Sequence, residues 1–136
     1  SRAWQRCFRR CWSLMSEEYV ALTILLLTLM FLPAICLFVT RQAAEGLISR
    51  NAAAGIRTRH TQASNEAWAA GHRAALPALR KMMPVAGIGI IAALTAQVLI
   101  GGQAGPLIAF AALIAQTVVL FRSTALANAA ARTATK

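Results

Sequence analysis

Tyr19–Thr40 reads YVALTILLLTLMFLPAICLFVT, and no charged residue lies between Glu18 and Arg41. A bilayer core of about 30 Å takes about 20 helical residues. An uncharged run of Leu, Ile, Val and Phe over residues 19–40 therefore predicts a transmembrane helix. Pro33 lies inside it and lacks the N–H that would bond four residues back. A membrane accepts such a proline when a neighbour covers the freed carbonyl.

A longer gap follows, with nothing charged between Lys81 and Arg122. Residues 82–121 form an apolar hairpin broken at 101–106 by Gly101, Gly102, Gly105 and Pro106. Its arms, 84–100 and 107–121, span roughly 26 and 22 Å as helices. Two short crossings are expected, with a re-entrant hairpin as the other reading. The fold class is all-α, an integral membrane protein with about three transmembrane helices and an N-terminal interfacial amphipathic helix.

The composition agrees with this reading. The chain has 136 residues, 58% of them hydrophobic, and a net charge of +10. Disordered chains are poor in apolar residues. Three Cys cannot all pair within one chain. The charges occupy residues 1–18, 41–81 and 122–136. Three crossings put 41–81 and 122–136 on one side, with ten Lys/Arg against four before the first span. The positive-inside rule makes that side cytoplasmic. Richness in Ala and Arg points to a bacterial inner membrane.

Residues 1–18 form a basic amphipathic segment. At helical spacing Trp4, Cys7, Phe8, Cys11 and Trp12 share one arc, and Arg2, Arg6, Arg9 and Arg10 the other. Aromatic rings at headgroup depth and guanidinium groups on phosphates suit an interfacial helix on anionic lipid. Protein packing is the alternative. A lateral helix is expected, with Ser16 capping the first span and Glu17 and Glu18 at its positive end.

The Ala-rich region 41–81 reads as helical with a break. Ala44, Ile48, Ala52 and Ile56 form a weak stripe before the break at 61–65. Ser64 is the candidate cap of the next helix. There Trp68, His72, Leu76 and Leu79 form a better stripe and are the candidate partner-binding surface. The sparse Arg50, Arg57 and Arg59 sit in no nucleic-acid-binding motif, so nucleic acid is not an expected partner.

Small residues flank one Gln in each hairpin arm. Gly89, Ala93, Ala96 and Gln97 make one seam, and Ala109, Ala112 and Gln116 the other. Such seams let membrane helices pack closely and hydrogen-bond. The two Gln lie at depths roughly 9 Å apart, too far to bond each other. At least one then needs another subunit, a backbone carbonyl or water, and a homo-oligomer or larger complex is expected.

No catalytic constellation is legible. The chain has no Asp, its four Glu are scattered, and His60 and His72 stand alone. Cys7 and Cys11 alone do not make a zinc site. No catalytic, cofactor or metal site is expected. Basic residues followed by Ser16-Glu17-Glu18-Tyr19-Val20-Ala21-Leu22 resemble the start of Tad-type pilin-like proteins. The family's Gly before the cleavage point is absent. That resemblance implies a filament subunit as one alternative. The main expectation is a structural or assembly subunit of a secretion, transfer or filament apparatus. A small oligomeric channel or holin-like pore is the other alternative.

Reporters fused to the two ends should lie on opposite sides of the membrane. Both ends on one side would exclude three crossings.

Overall fold

The computed structural model describes all 136 residues except the side chain of Met15. Four helices follow in order: α1 (Arg2–Ala44), α2 (Asn65–Arg80), α3 (Met82–Leu99) and α4 (Ala104–Ala134). No strand occurs among the described residues. α2 and α3 join through Lys81 into one rod over Asn65–Leu99. Pro84 explains the joint, because it cannot donate to the Arg80 carbonyl and its ring crowds that oxygen. Three helices are thus long and apolar enough to cross a membrane.

α1 is one helix of 43 residues, about 64 Å long. The expected boundary at Ser16 is not there. Residues 13–18 hold no Gly or Pro to stop a helix. The hydroxyls of Ser13 and Ser16 bond back to Arg10 O (3.0 Å) and Ser13 O (2.8 Å) instead of capping. The amphipathic segment is therefore the first turns of α1, continuous with the span.

Gly101 (φ +77°) and Gly102 (φ +57°) make the hairpin turn in a backbone region that other residues avoid. Gln97 clamps it: Nε2 donates to Gly102 O (3.3 Å) and Oε1 accepts from Gly105 N–H (3.1 Å). A Cβ at Gly105 would stand 2.5 Å from Gln97 Oε1.

The small-residue seams meet inside the chain. Gly89 faces Ala112, with Leu29 of α1 against the same spot. Leu22, Leu29, Ala93 and Ala109 form a buried cluster at this three-helix contact. Ala96 is also buried. Lipid tails are as apolar as Leu, so close packing holds these helices together more than exclusion of water does. The larger residues Phe31, Ile91, Val98, Phe110, Ile114 and Val118 point outward, as lipid-facing residues should.

Gln116 is fully buried at the centre. Its Nε2 donates to Leu29 O at 3.1 Å and lies 3.5 Å from Met82 O. Leu29 O is the carbonyl that Pro33 leaves without its helical donor. Gln116 Oε1 is the one buried side-chain polar atom without a partner among the described residues. Both Gln meet backbone groups of their own chain, so neither needs a second subunit to bond.

Leu29 and Gln116 thus lie at about one depth, with Met82 nearer the cap. From Gln116 back to Gly105 is roughly 16 Å, and the same distance back from Leu29 reaches Glu18. Glu18 and the hairpin turn accordingly mark one membrane face. α2, the end of α1 and the end of α4 gather at the other.

A Cβ at Gly89 would lie 2.6 Å from Ala112 Cβ, whereas one at Gly87 meets nothing within 4 Å. Gly89→Ala should destabilise the bundle by about 1–3 kcal/mol, as overpacking does. Gly87→Ala should not. Unfolding in mixed micelles with increasing SDS measures both.

Candidate functional site

The polar end of the bundle carries a cap made by residues 45–64, α2 and the last turns of α4. α1 ends at Ala44, with Glu45 as its C-cap, because Gly46 takes φ +81°. Gly46 N–H donates to Ala43 O (3.2 Å) and Leu47 N–H to Gln42 O (2.9 Å), a Schellman closure. The helix expected through Ile56 therefore stops at Ala44. The chain beyond it is an irregular loop.

A loop of this length needs its own hydrogen bonds, and side chains supply them. Trp68 Nε1 donates to Ile48 O at 2.8 Å. Arg50 Nη1 donates to Gln62 O (2.9 Å) and Ala63 O (3.2 Å). Thr61 is a hub: its hydroxyl donates to Ile56 O (2.8 Å) and accepts from Thr58 N–H (2.9 Å). Ser64 caps α2 by accepting from Ala67 N–H at 3.0 Å.

His72 ties the loop to α2. Ile56 N–H donates to His72 Nε2 at 2.8 Å, and a backbone N–H can only donate. Nε2 is then the acceptor and Nδ1 carries the proton, donated to Trp68 O at 2.7 Å. The Trp68 and His72 rings lie 4.2 Å apart. Gly55 (φ +115°) passes so close that a Cβ would stand 2.7 Å from Trp68 Cη2.

These contacts correct the partner-binding expectation. Trp68, His72 and Leu79 are buried by the chain's own loop, α1 and α4, and only Leu76 of the four is half-exposed. The stripe is real, but the chain covers it itself. Its period told of a buried face without telling what buries it.

Beneath the loop lies a crevice of about 470 Å³. Ile35, Cys36, Val39 and Thr40 of α1 form one wall, and Leu120, Ser123 and Thr124 of α4 another. Leu79 and the loop residues Ala54–Thr58 close it. Arg57 stands at the loop side. Its Nη1 donates to Ala52 O. With its amide oxygen turned to Arg57, Gln62 accepts from Nη2 (2.9 Å) and Nε (3.1 Å). These partners are neutral, so the charge is held in place without being cancelled. The one ion pair among the described residues is exposed Arg41–Glu45 at 3.1 Å. Thr61, Gly55 and Arg57 carry no sequence motif. Gly55 itself is the only local signal in the sequence, and a lone loop glycine is a weak one.

The N-terminal residues occupy the far end. Every described side chain from Ser1 to Leu14 is exposed. Trp4 stacks on Phe8 (centroids 5.6 Å apart) and Phe8 on Trp12 (6.4 Å), with Arg2, Arg6, Arg9 and Arg10 on the same arm. Among the described residues no group of three His, Cys, Asp or Glu is placed to hold a metal.

Burial lowers the His72 pKa, partly offset by the bond to Trp68 O. Folding thus favours the neutral ring. The stabilisation is complete above the ordinary value of about 6.5 and is lost as pH falls through the lowered one. Protection of the Ile56 amide from hydrogen exchange should drop on acidification, from pH 7 to 5. His72→Ala should remove that pH dependence and cost about 2 kcal/mol by stranding Ile56 N–H.

The SdpI/YfhL protein family matches the chain over residues 48–123. No curated protein and no solved structure shows a significant match. The matched span covers more than half of the chain, and the chain belongs to this family of membrane proteins. It takes in most of the cap loop, α2, α3 and most of α4, and leaves out the arm and α1.

Proposed function

We propose that this SdpI/YfhL-family chain, a small integral membrane protein, acts without catalysis as an assembly subunit of a larger membrane complex. The observation that carries the reading is the N-terminal arm. Trp4, Phe8 and Trp12 are 69%, 55% and 64% exposed along one face of a helix that continues straight out of the bundle. Aromatic side chains bury large areas at interfaces and leave little entropy to lose, so such a ladder suits a partner helix. A lateral position on lipid needs a bend between the arm and the span, and residues 13–18 hold no Gly or Pro to make one.

The pore alternative has little to line it. Gln97 and Gln116 face into the hairpin and bundle. The hydroxyls of Thr23, Thr28, Thr95 and Thr117 each donate to the carbonyl four residues back. The pilin alternative rests on residues 16–22, which lie outside the family match. The cap side, with residues 41–81 and 122–136, is placed in the cytoplasm of a bacterial inner membrane on charge alone.

In mild detergent the protein should migrate as a complex larger than one chain, and a photo-crosslinker at Phe8 should capture another polypeptide. Replacing Trp4, Phe8 and Trp12 together with Ala should return it to the size of a single chain. Replacing Arg2, Arg6, Arg9 and Arg10 with Gln, which would abolish adsorption to anionic lipid, should leave the complex intact. A wild-type single chain, or a complex indifferent to the aromatic residues, overturns the reading.

A further inference from the structure

We infer that the crevice under the cap loop is a binding site for one anionic phospholipid of the cap-side leaflet. Three observations carry this, and none depends on the arm.

The first is depth. α4 reaches Arg122 about 27 Å after it leaves the hairpin turn, close to the thickness of a bilayer core. The crevice wall on α4, Leu120 to Thr124, brackets that residue. The crevice therefore lies where acyl chains give way to headgroups. Ile35, at its apolar end, is 58% exposed, so the site opens sideways towards lipid.

The second is the direction of its polarity. Ile35, Cys36 and Leu120 lie towards the membrane centre. Thr40, Arg57 and Thr58 lie towards the cap. A phospholipid of that leaflet has the same order along the same axis, with its chains inward and its phosphate outward. A soluble anion would use only the upper half, and an uncharged apolar ligand only the lower half. The volume of about 470 Å³ is within the range of ligand pockets and suits the upper part of one acyl chain with the ester region.

The third is charge. Arg57 is the only charged residue lining the crevice. No carboxylate pairs with it among the described residues. Neutral acceptors at Ala52 and Gln62 fix the guanidinium plane without neutralising it. A planar cation left without a counter-charge matches a phosphate. His72 holds Ile56 and so holds the segment on which Arg57 sits.

The test is retention of lipid by the whole chain. Protein purified in mild detergent is equilibrated with equimolar phosphatidylglycerol and phosphatidylcholine of identical chains, and retained lipid is read by native mass spectrometry. Phosphatidylglycerol should be retained about 10-fold over phosphatidylcholine, the size expected for one charge-assisted contact. Arg57→Gln should bring the two lipids to parity, while Arg57→Lys keeps most of the preference. Arg59→Gln, at an exposed position outside the crevice, should change nothing. Thr124→Phe fills the crevice from α4 and should also abolish the preference, while protection of the Ile56 amide shows that the cap is still folded. Cys36 is a built-in reporter: with Cys7 and Cys11 changed to Ser, phosphatidylglycerol should slow its reaction with a maleimide where phosphatidylcholine does not. Equal retention of the two lipids, equal loss in Arg59→Gln and Arg57→Gln, or Cys36 labelling indifferent to lipid overturns the site. Loss of the arm's complex leaves each of these readings unchanged.

Discussion

The bond from Gln116 to the Leu29 carbonyl sets the register of the bundle. Pro33 removes the donor that an unbroken helix would give Leu29. In a bilayer no water replaces it, and an unmet carbonyl costs several kcal/mol. Gln116 supplies the donor from α4 and reaches towards Met82 O at the start of α3. One amide thereby fixes the depth of all three helices. The small-residue contacts come into line only at that depth, with Gly89 on Ala112 and Leu29 filling the space beside them. Gln116 Oε1 remains unpaired, so the amide is held by what its nitrogen gains and by the packing around it.

The cap follows from the same register. Beyond Met82 and Gln116, α2 and the last turns of α4 run on towards the cap and pack on each other. Ala75, Leu79, Met82 and Ala127 form the cluster there. Gly71 approaches Ala127 and Thr61 closely enough that a Cβ would stand 3.0 Å from Ala127 O. Polar side chains return at this height. Thr61, Trp68 and His72 point at loop carbonyls and amides, because residues 45–64 have no regular structure to satisfy them. The loop is held chiefly by hydrogen bonds to side chains, while the membrane part is held chiefly by van der Waals contact.

The spans were legible because charge is excluded from lipid at high cost. The gaps between Glu18 and Arg41 and between Lys81 and Arg122, the second divided by the glycine turn at 101–106, give three candidate spans. The turn at 101–106 was legible from its glycines, and the small residues beside each Gln from their spacing. What failed was local propensity in the polar regions. Ala44, Ile48, Ala52 and Ile56 keep a helical period, yet Gly46 in the left-handed region ends the helix first. Trp68, His72 and Leu79 were read correctly as one face and wrongly as a free one. A periodic stripe reports that a face is covered, and the covering residues, 45–64, have no period of their own. The bond partner of Gln116 was within reach of the sequence in principle. Pro33 announces a free carbonyl at Leu29, and a Gln in a neighbouring span is the side chain suited to meet it. Only the relative depth of the two helices was missing.

α1 carries the consequence furthest. One helix bears the aromatic arm at one face of the membrane and the crevice wall, Ile35 to Thr40, at the other. A helix transmits a tilt along its length unless it has a weak point, and a proline is the usual weak point. Here Pro33 lies between the two features, and the one carbonyl it frees is bonded by Gln116. Were that carbonyl bonded only to water or to lipid-exposed groups, the halves of α1 would be free to move separately. Pinned to the centre of α4 and beside the start of α3, they move with the hairpin or not at all. The same bond that sets the register therefore also ties α1, at its proline, to α4.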